Sequence, residues 1–266
     1  MTIFTTQKRS DVMNDNTKKI LTRAAPWLAL LFWLTVWLVI ALIFNKPLLL
    51  PTPVAVAKKL GELLCTATFW QALALSLLRI VAGIAAAVAL GTLLAFLCVR
   101  FKILDCIIAP LLNLFKATPV ASVIFLLLLF IGRNTVPLFI AFAMALPIIF
   151  SNVKEGLLQT DRQLFEMAAV FRVPRGRTLK CITLPSLIPY LVAACRAAIS
   201  LAWKAGIAAE VLAVPEHALG RAIFESKQYL QTDELFAYTA AVLIISAVLE
   251  KITLRLLRDK GGRDRC

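Results

Sequence analysis

A segment that crosses hydrocarbon must satisfy its own backbone hydrogen bonds, and this sequence holds six runs apolar enough to pose that demand. They lie at residues 26–44, 74–99, 104–131, 135–151, 186–213 and 233–256. A span needs about 20 apolar residues to cover about 30 Å of hydrocarbon. Composition agrees, since 61% of residues are hydrophobic and 17% charged, against about a quarter charged in a soluble domain. The runs predict an all-α membrane protein. The fourth is short, with Pro137 and Pro147 near its ends, while Pro110 and Pro119 interrupt the third. Such breaks are tolerated where neighbours or water re-satisfy the backbone, so the pattern predicts a bundle packed around a pathway.

The basic residues set the orientation. Lys and Arg total 19 in residues 1–25, 99–104, 151–184 and 251–266, and 6 in the loops between. By the positive-inside rule both termini are cytoplasmic. The net charge of +14 therefore reports topology and not nucleic acid. Residues 1–22 form a polar tail expected to be poorly ordered, 23–258 the transmembrane domain, and 259–266 a second cytoplasmic tail. The first apolar run is too long for a signal peptide and lacks a small-x-small cleavage site. In the outer loop 45–72, Val54, Ala57, Leu60 and Leu64 recur at helical spacing after Pro51 and Pro53, which predicts a short surface helix. The six cysteines show no CxxC pairing, and four lie in or beside apolar runs as small core residues. His217 stands alone in a polar loop, so neither residue type suggests a metal site.

The largest cytoplasmic loop contains "EMAAVFRVPRGRTLKCITLP", residues 166–185. Thr160-Asp161-Arg162-Gln163 has capping-box spacing, and Val173 before Pro174 leaves the α region. The predicted helix runs from Asp161 to near Arg172, too short and polar to span. Leu164, Phe165, Ala168 and Ala169 share a flank where paired alanines admit another backbone. Glu166 adds a fixed charge, and Pro185 marks the start of the fifth span, where a first-turn proline loses no hydrogen bond. Enforcing topology is the plain account of such a loop; a capped helix with a small-residue face suits docking better.

Glu166-Met167-Ala168-Ala169 followed by Ile182-x-Leu184-Pro185 resembles the EAA loop (160–185 here) of binding-protein-dependent ABC importer permeases. The likeness extends through "LLPTPVAV", "SLLRIVAG", "KATPVAS", "LPIIFSNV" and "RAAISLAWKAGIAAEVL" to about four-fifths of the chain, and looks like the nitrate/sulfonate/taurine branch. It implies a six-span type I importer bundle in the bacterial inner membrane. It also implies two ABC ATPase subunits, a second permease copy or sister permease, and an extracytoplasmic solute-binding protein. Glu166, Ala168, Ala169, Arg172, Ile182, Leu184 and Pro185 would couple to the ATPase. No GxxxxGK[ST] phosphate loop occurs, so the chain itself is expected to hold no cofactor and ATP to bind the partner. Two departures stand out. Arg172 occupies the position six residues after the glutamate where the family has glycine, so either the turn shifts, or Arg172 serves the helix dipole or touches the partner. Segment 124–133 lacks the branch's usual proline and tryptophan.

The fifth span carries two stripes. Ala194, Ala198, Ala202 and Gly206 suit close helix packing, while Arg196, Ser200 and Lys204 fall about 200° away. An intramembrane Arg or Lys costs about 2.5–3.5 kcal/mol, and Arg79, Lys116, Arg196 and Lys204 all lie within spans, with only Glu210 and Asp105 counted as acids nearby. Snorkelling and structural pairing account for Arg79 and Lys116, near span ends or breaks. Arg196, Ser200 and Lys204, with Lys116, are the candidates for lining an anion pathway. The implied cargo is a sulfonate, taurine or nitrate; the branch also carries pyrimidine and thiamine-precursor solutes, for which the basic stripe would be incidental. An ATPase-independent channel or carrier would predict intramembrane coupling acids and an internal repeat, which are not seen. A membrane enzyme would need a catalytic constellation that one His does not provide.

Overall fold

The computed structural model describes residues 28–260 and is wholly helical in its regular elements. In chain order these are α1 (Leu28–Phe44), α2 (Pro53–Leu64), α3 (Ala67–Arg100), α4 (Lys102–Ala117), α5 (Val120–Phe130), α6 (Val136–Leu158), α7 (Arg162–Val170), α8 (Arg175–Thr178), α9 (Leu184–Ala213), α10 (Leu219–Gln228) and α11 (Thr232–Lys260). A π-helical turn, Leu179–Thr183, joins α8 to α9. Four helices among the described residues are long and apolar enough to cross a membrane, and α4 with α5 makes a fifth candidate as a bent pair. The predicted tail 1–22, all of the predicted tail 259–266 but the two residues that end α11, and the start of the first run lie outside the described residues.

Helix α6 is packed between α3 and α9, and small residues set how closely they approach. A Cβ on Gly83 of α3 would lie 2.4 Å from the Leu138 carbonyl oxygen and 3.0 Å from the Phe142 nitrogen of α6. Ala194, Ala198 and Ala202 of α9 are fully buried, and a Cβ on Gly206 would lie 2.7 Å from Ile80. The small-residue stripe thus packs inward as the spacing predicts, and Arg196 and Lys204 on the other side of α9 are exposed. A second apolar cluster joins Ile124 of α5, Val136 and Ile140 of α6, and Ala205, Ala209 and Ala213 of α9.

Among the prolines, Pro119 interrupts its run as the sequence predicts, and Pro110, Pro147 and Pro185 act differently. The third run is not one rod: α4 ends at Ala117 and α5 begins at Val120, bent by 106°. Thr118 is extended (φ −77°, ψ 132°) because the ring of Pro119 excludes the α region from the residue before it. Pro110, in contrast, sits within α4 without ending it. The fourth span is not short either. α6 passes through Pro147 for 23 residues, about 35 Å. Nor does the fifth start at residue 186, since Gly176–Ala213 form one 38-residue helix. Pro185 therefore lies within a rod and leaves the Cys181 carbonyl without its i+4 donor. The π turn absorbs this by widening the register, with the Leu184 N–H donating to the Leu179 carbonyl.

The short helices cap the two ends of the bundle. α2 forms as expected, with Pro53 in its first turn and the Thr52 hydroxyl accepting from the Ala55 N–H at 3.3 Å. Thr232 bonds the Pro47 carbonyl and Lys59 pairs with Glu234, so α2 and the start of α11 share one end. α10 lies at that end in a segment read only as a loop. α7 lies at the other end and is shorter than expected. Asp161 caps it, its carboxylate accepting from the Gln163 N–H at 2.8 Å. Thr160 does not cap; its hydroxyl donates to the Gly156 carbonyl, so the expected box is absent. The helix closes in a Schellman motif, with Val173 N–H to Ala168 carbonyl (2.9 Å) and Arg172 N–H to Ala169 carbonyl (3.1 Å). Arg172 takes the left-handed pose itself, φ 51°. The turn has not shifted. The cysteines correct another expectation, since among the five described only Cys98 is buried.

Two substitutions test these local accounts. Gly83→Ala should force α3 from α6 and cost about 1–3 kcal/mol, lowering the melting temperature in detergent, whereas Gly61→Ala, with open space around it, should not. Arg172→Gly should relieve about 1 kcal/mol of left-handed strain and slow hydrogen exchange at the Arg172 and Val173 amides by about fivefold.

Candidate functional site

At the α7 end, three residues link α6 to α7 and four link α7 to the α8–α9 rod. Ala168 is turned inward at 5% exposure. Around it Leu164, Phe165, Met167, Val170 and Phe171 are exposed, as is Ala169. Apolar side chains gathered this way mark interaction surfaces. Glu166 sits among them, 66% exposed and 3.2 Å from Arg162 one turn earlier. A pair so exposed contributes at most about 0.5 kcal/mol, so both side chains remain available to a partner. Farther along, Ile182 is half-buried within the π turn, Leu184 is exposed and Pro185 half-buried. The predicted loop residues therefore fall on α7, on the link that follows it and on the start of the rod that leads into α9. Gly156 of α6 packs on it, since a Cβ there would lie 2.7 Å from the Tyr190 ring.

The four cations within spans meet different fates. Arg79 lies 3.6 Å from Glu210. Arg196, half-exposed, lies 3.8 Å from Glu250 of α11, an acid that reading the sequence did not count. Lys116 donates to the Ser151 hydroxyl at 2.9 Å, a neutral partner, and is in no ion pair among the described residues. Asp105 is engaged by Lys154 instead. Ser200 is half-buried, and Lys204 is exposed and in no ion pair among the described residues. The structure thus does not bring the candidates into one cluster. It separates two paired arginines from two lysines that have no counter-ion among the described residues.

A second polar centre, largely missed from sequence, lies at the opposite end. The Glu210 carboxylate is fully buried and accepts from the Ser76 hydroxyl (2.7 Å) and the Gly220 N–H (3.1 Å). Ser76 also accepts from the Leu219 N–H at 3.0 Å. Arg79 donates to the Glu216 carbonyl at 2.8 Å, and the Glu216 N–H donates to the Asn134 side-chain oxygen at 3.0 Å. A buried carboxylate at a helix N-terminus compensates orphan N–H groups, and here α3 and α9 together cap α10. The one sequence signal was Glu210 itself, an acid in an apolar run. Its partners lie up to 134 residues away.

Comparison with known proteins fits this geometry. Residues 87–258, well over half of the chain, match the family model for the binding-protein-dependent transport system inner membrane component. The chain is 28% identical over 216 residues to a Bacillus subtilis protein named as an aliphatic sulfonates transport permease, SsuC, covering 79% of this chain and 76% of that one. It is 28% identical over 235 residues to the taurine transport system permease protein TauC of Escherichia coli, covering 85% and 84%. It is 29% identical over 181 residues to the bicarbonate transport system permease protein CmpB of Synechococcus elongatus, covering 68% and 64%. The bundle with its exposed helix between two spans therefore belongs to the binding-protein-dependent transport inner-membrane family: the chain is a multi-pass permease subunit of an ABC importer, not an enzyme, and in such systems ATP binds a partner ATPase.

Proposed function

We propose that this permease carries a small anionic solute, of the sulfonate, taurine or nitrate kind, and that α7 is the lever through which two ATPase subunits drive it. The observation that carries the reading is the continuity of the α7 loop with the 38-residue helix ending at Ala213. That helix places Lys204 about 42 Å along the same rod from Gly176. A displacement passed from α7 through the four-residue link 171–174 thus enters a single rod that reaches the exposed basic face of α9. Glu166 is the fixed charge in the docking surface, the exposed Ala169 admits a partner backbone, the buried Ala168 seats α7 on its own bundle, and Arg172 closes the helix. Ile182, Leu184 and Pro185 carry the motion through the π turn.

In this reading the chain spans the membrane six times, α1 and the α4–α5 pair included, with both termini and α7 cytoplasmic. A second permease copy or a sister chain completes the pathway. The solute-binding protein meets the opposite end, around loops 45–72 and 214–232. ATP-driven closure brings the α7 helices together and turns the cavity outward, and hydrolysis returns it. Anionic cargo is supported by Lys204 and Lys116, whose charges no carboxylate among the described residues neutralises; Ser200 lies between Arg196 and Lys204 on the same helix. The names of the relatives point the same way, to aliphatic sulfonates, taurine and bicarbonate.

Two variants test the roles separately. In vesicles, Glu166→Ala should leave insertion and basal ATP hydrolysis by the complex intact and cut solute uptake by at least about tenfold, or about 1.4 kcal/mol. Unchanged uptake would remove Glu166 from the lever. Lys204→Gln should raise KM for the transported anion by a similar factor while the ATP consumed per solute stays constant; an unaltered KM would take Lys204 out of the pathway.

A further inference from the structure

Neither the lever nor the pathway uses the most enclosed charge among the described residues, the carboxylate of Glu210. Its setting concerns α10. That helix has ten residues and buries only Leu219, Gly220 and Ser226, too little to form alone in water. Its own N-cap, Ala218, offers no side-chain acceptor. The two leading N–H groups bond instead to Ser76 and Glu210, which belong to two different spans. The turn before it holds Val214 at φ 48° and His217 at φ 47°, poses that a β-branched residue adopts only when its surroundings impose them. Arg79 and Asn134 supply that constraint by gripping the two sides of Glu216. Gly220 completes the fit, because a Cβ there would lie 2.3 Å from the Glu210 Cβ.

We propose that Glu210, Ser76 and Arg79 are positioning residues that hold α10 and its preceding turn in one pose, and that this pose forms the surface through which the docked binding protein is sensed. The pose creates a cleft of about 450 Å³ between α3, α10 and α11, lined by Thr68, Ala72, Glu216, His217, Arg221 and Glu225 among others. A greasy contact between the same helices would hold them as firmly. The buried polar knot adds direction, since the Leu219 and Gly220 N–H bonds to Ser76 and Glu210 are made in a single placement of α10. This inference rests on the proposed reading that the α10 end faces the binding protein.

The test uses proteoliposomes holding the permease with its ATPase and binding protein, with taurine, ethanesulfonate or bicarbonate supplied in turn. Glu210→Gln should raise the binding-protein concentration for half-maximal ATPase stimulation at least fivefold and leave basal hydrolysis unchanged. Ser76→Ala should shift it less, and Glu210→Asp should restore most of the response. Gly220→Ala alters no charge but pushes α10 away, and should reproduce the Glu210→Gln shift. A purely structural role would scale basal and stimulated rates together with the amount of complex and leave the half-maximal concentration where it was. That result, or a changed solute KM with unchanged binding-protein dependence, overturns the proposal. If the unaltered complex responds to none of the three solutes, the proposed function fails on its own account. Pulsed EPR between spin labels at Thr68 and Ala222, in a background without the six native cysteines, then decides the positioning claim. The distance must lengthen or broaden in Glu210→Gln, and an unaltered distribution refutes it.

Discussion

Close approach between helix backbones is the constraint from which the rest of the bundle follows. In hydrocarbon no hydrophobic force draws helices together, so association depends on van der Waals contact between surfaces that fit. Gly83 against α6 and the Ala194–Gly206 stripe against Ile80 bring three spans within reach of one another. Only at that separation can Ser76 of α3 reach Glu210 of α9, or Gly156 of α6 admit the Tyr190 ring. Polar contacts at both ends are consequences of packing in the middle.

The same packing decides which charges are neutralised. A charge inside a membrane requires a partner or water, and a fold can supply partners only where helices meet. Arg79 and Arg196 face helices that carry Glu210 and Glu250. Lys204 lies on the side of α9 away from the buried stripe, where this chain offers no acid among the described residues. The charge therefore sits on the exposed face of α9. Its placement follows from the 3.6-residue period that turned the alanines inward.

The prolines show how local chemistry becomes mechanical design. Pro119 bends the third run because its neighbour has nothing to replace the lost helical register. Pro185 leaves the rod continuous because the π turn shifts one hydrogen bond. One residue type thus yields a corner in one place and an unbroken rod in another. Arg172 is comparable: the Schellman bonds hold it left-handed although its side chain favours another region.

Much was legible from the order of residues alone. The membrane class, α2, the exposed helix around Glu166, the inward alanine face of α9 and the family all follow from periodicity, composition and a short motif, which act within one or two helical turns. Helix limits were less legible: α7 ended at a turn formed by its own carbonyls, α6 outran its apolar run into a half-buried polar end, and the α9 rod extends through an exposed polar start because the π turn carries it past Pro185. The Glu210 knot showed only as an acid in an apolar run, and α10 not at all. Both depend on residues more than a hundred positions apart meeting at one helix end. Sequence determined what each segment prefers, because those preferences are local. Only tertiary structure decided which buried charge meets which partner, because that depends on distances the chain acquires when it packs.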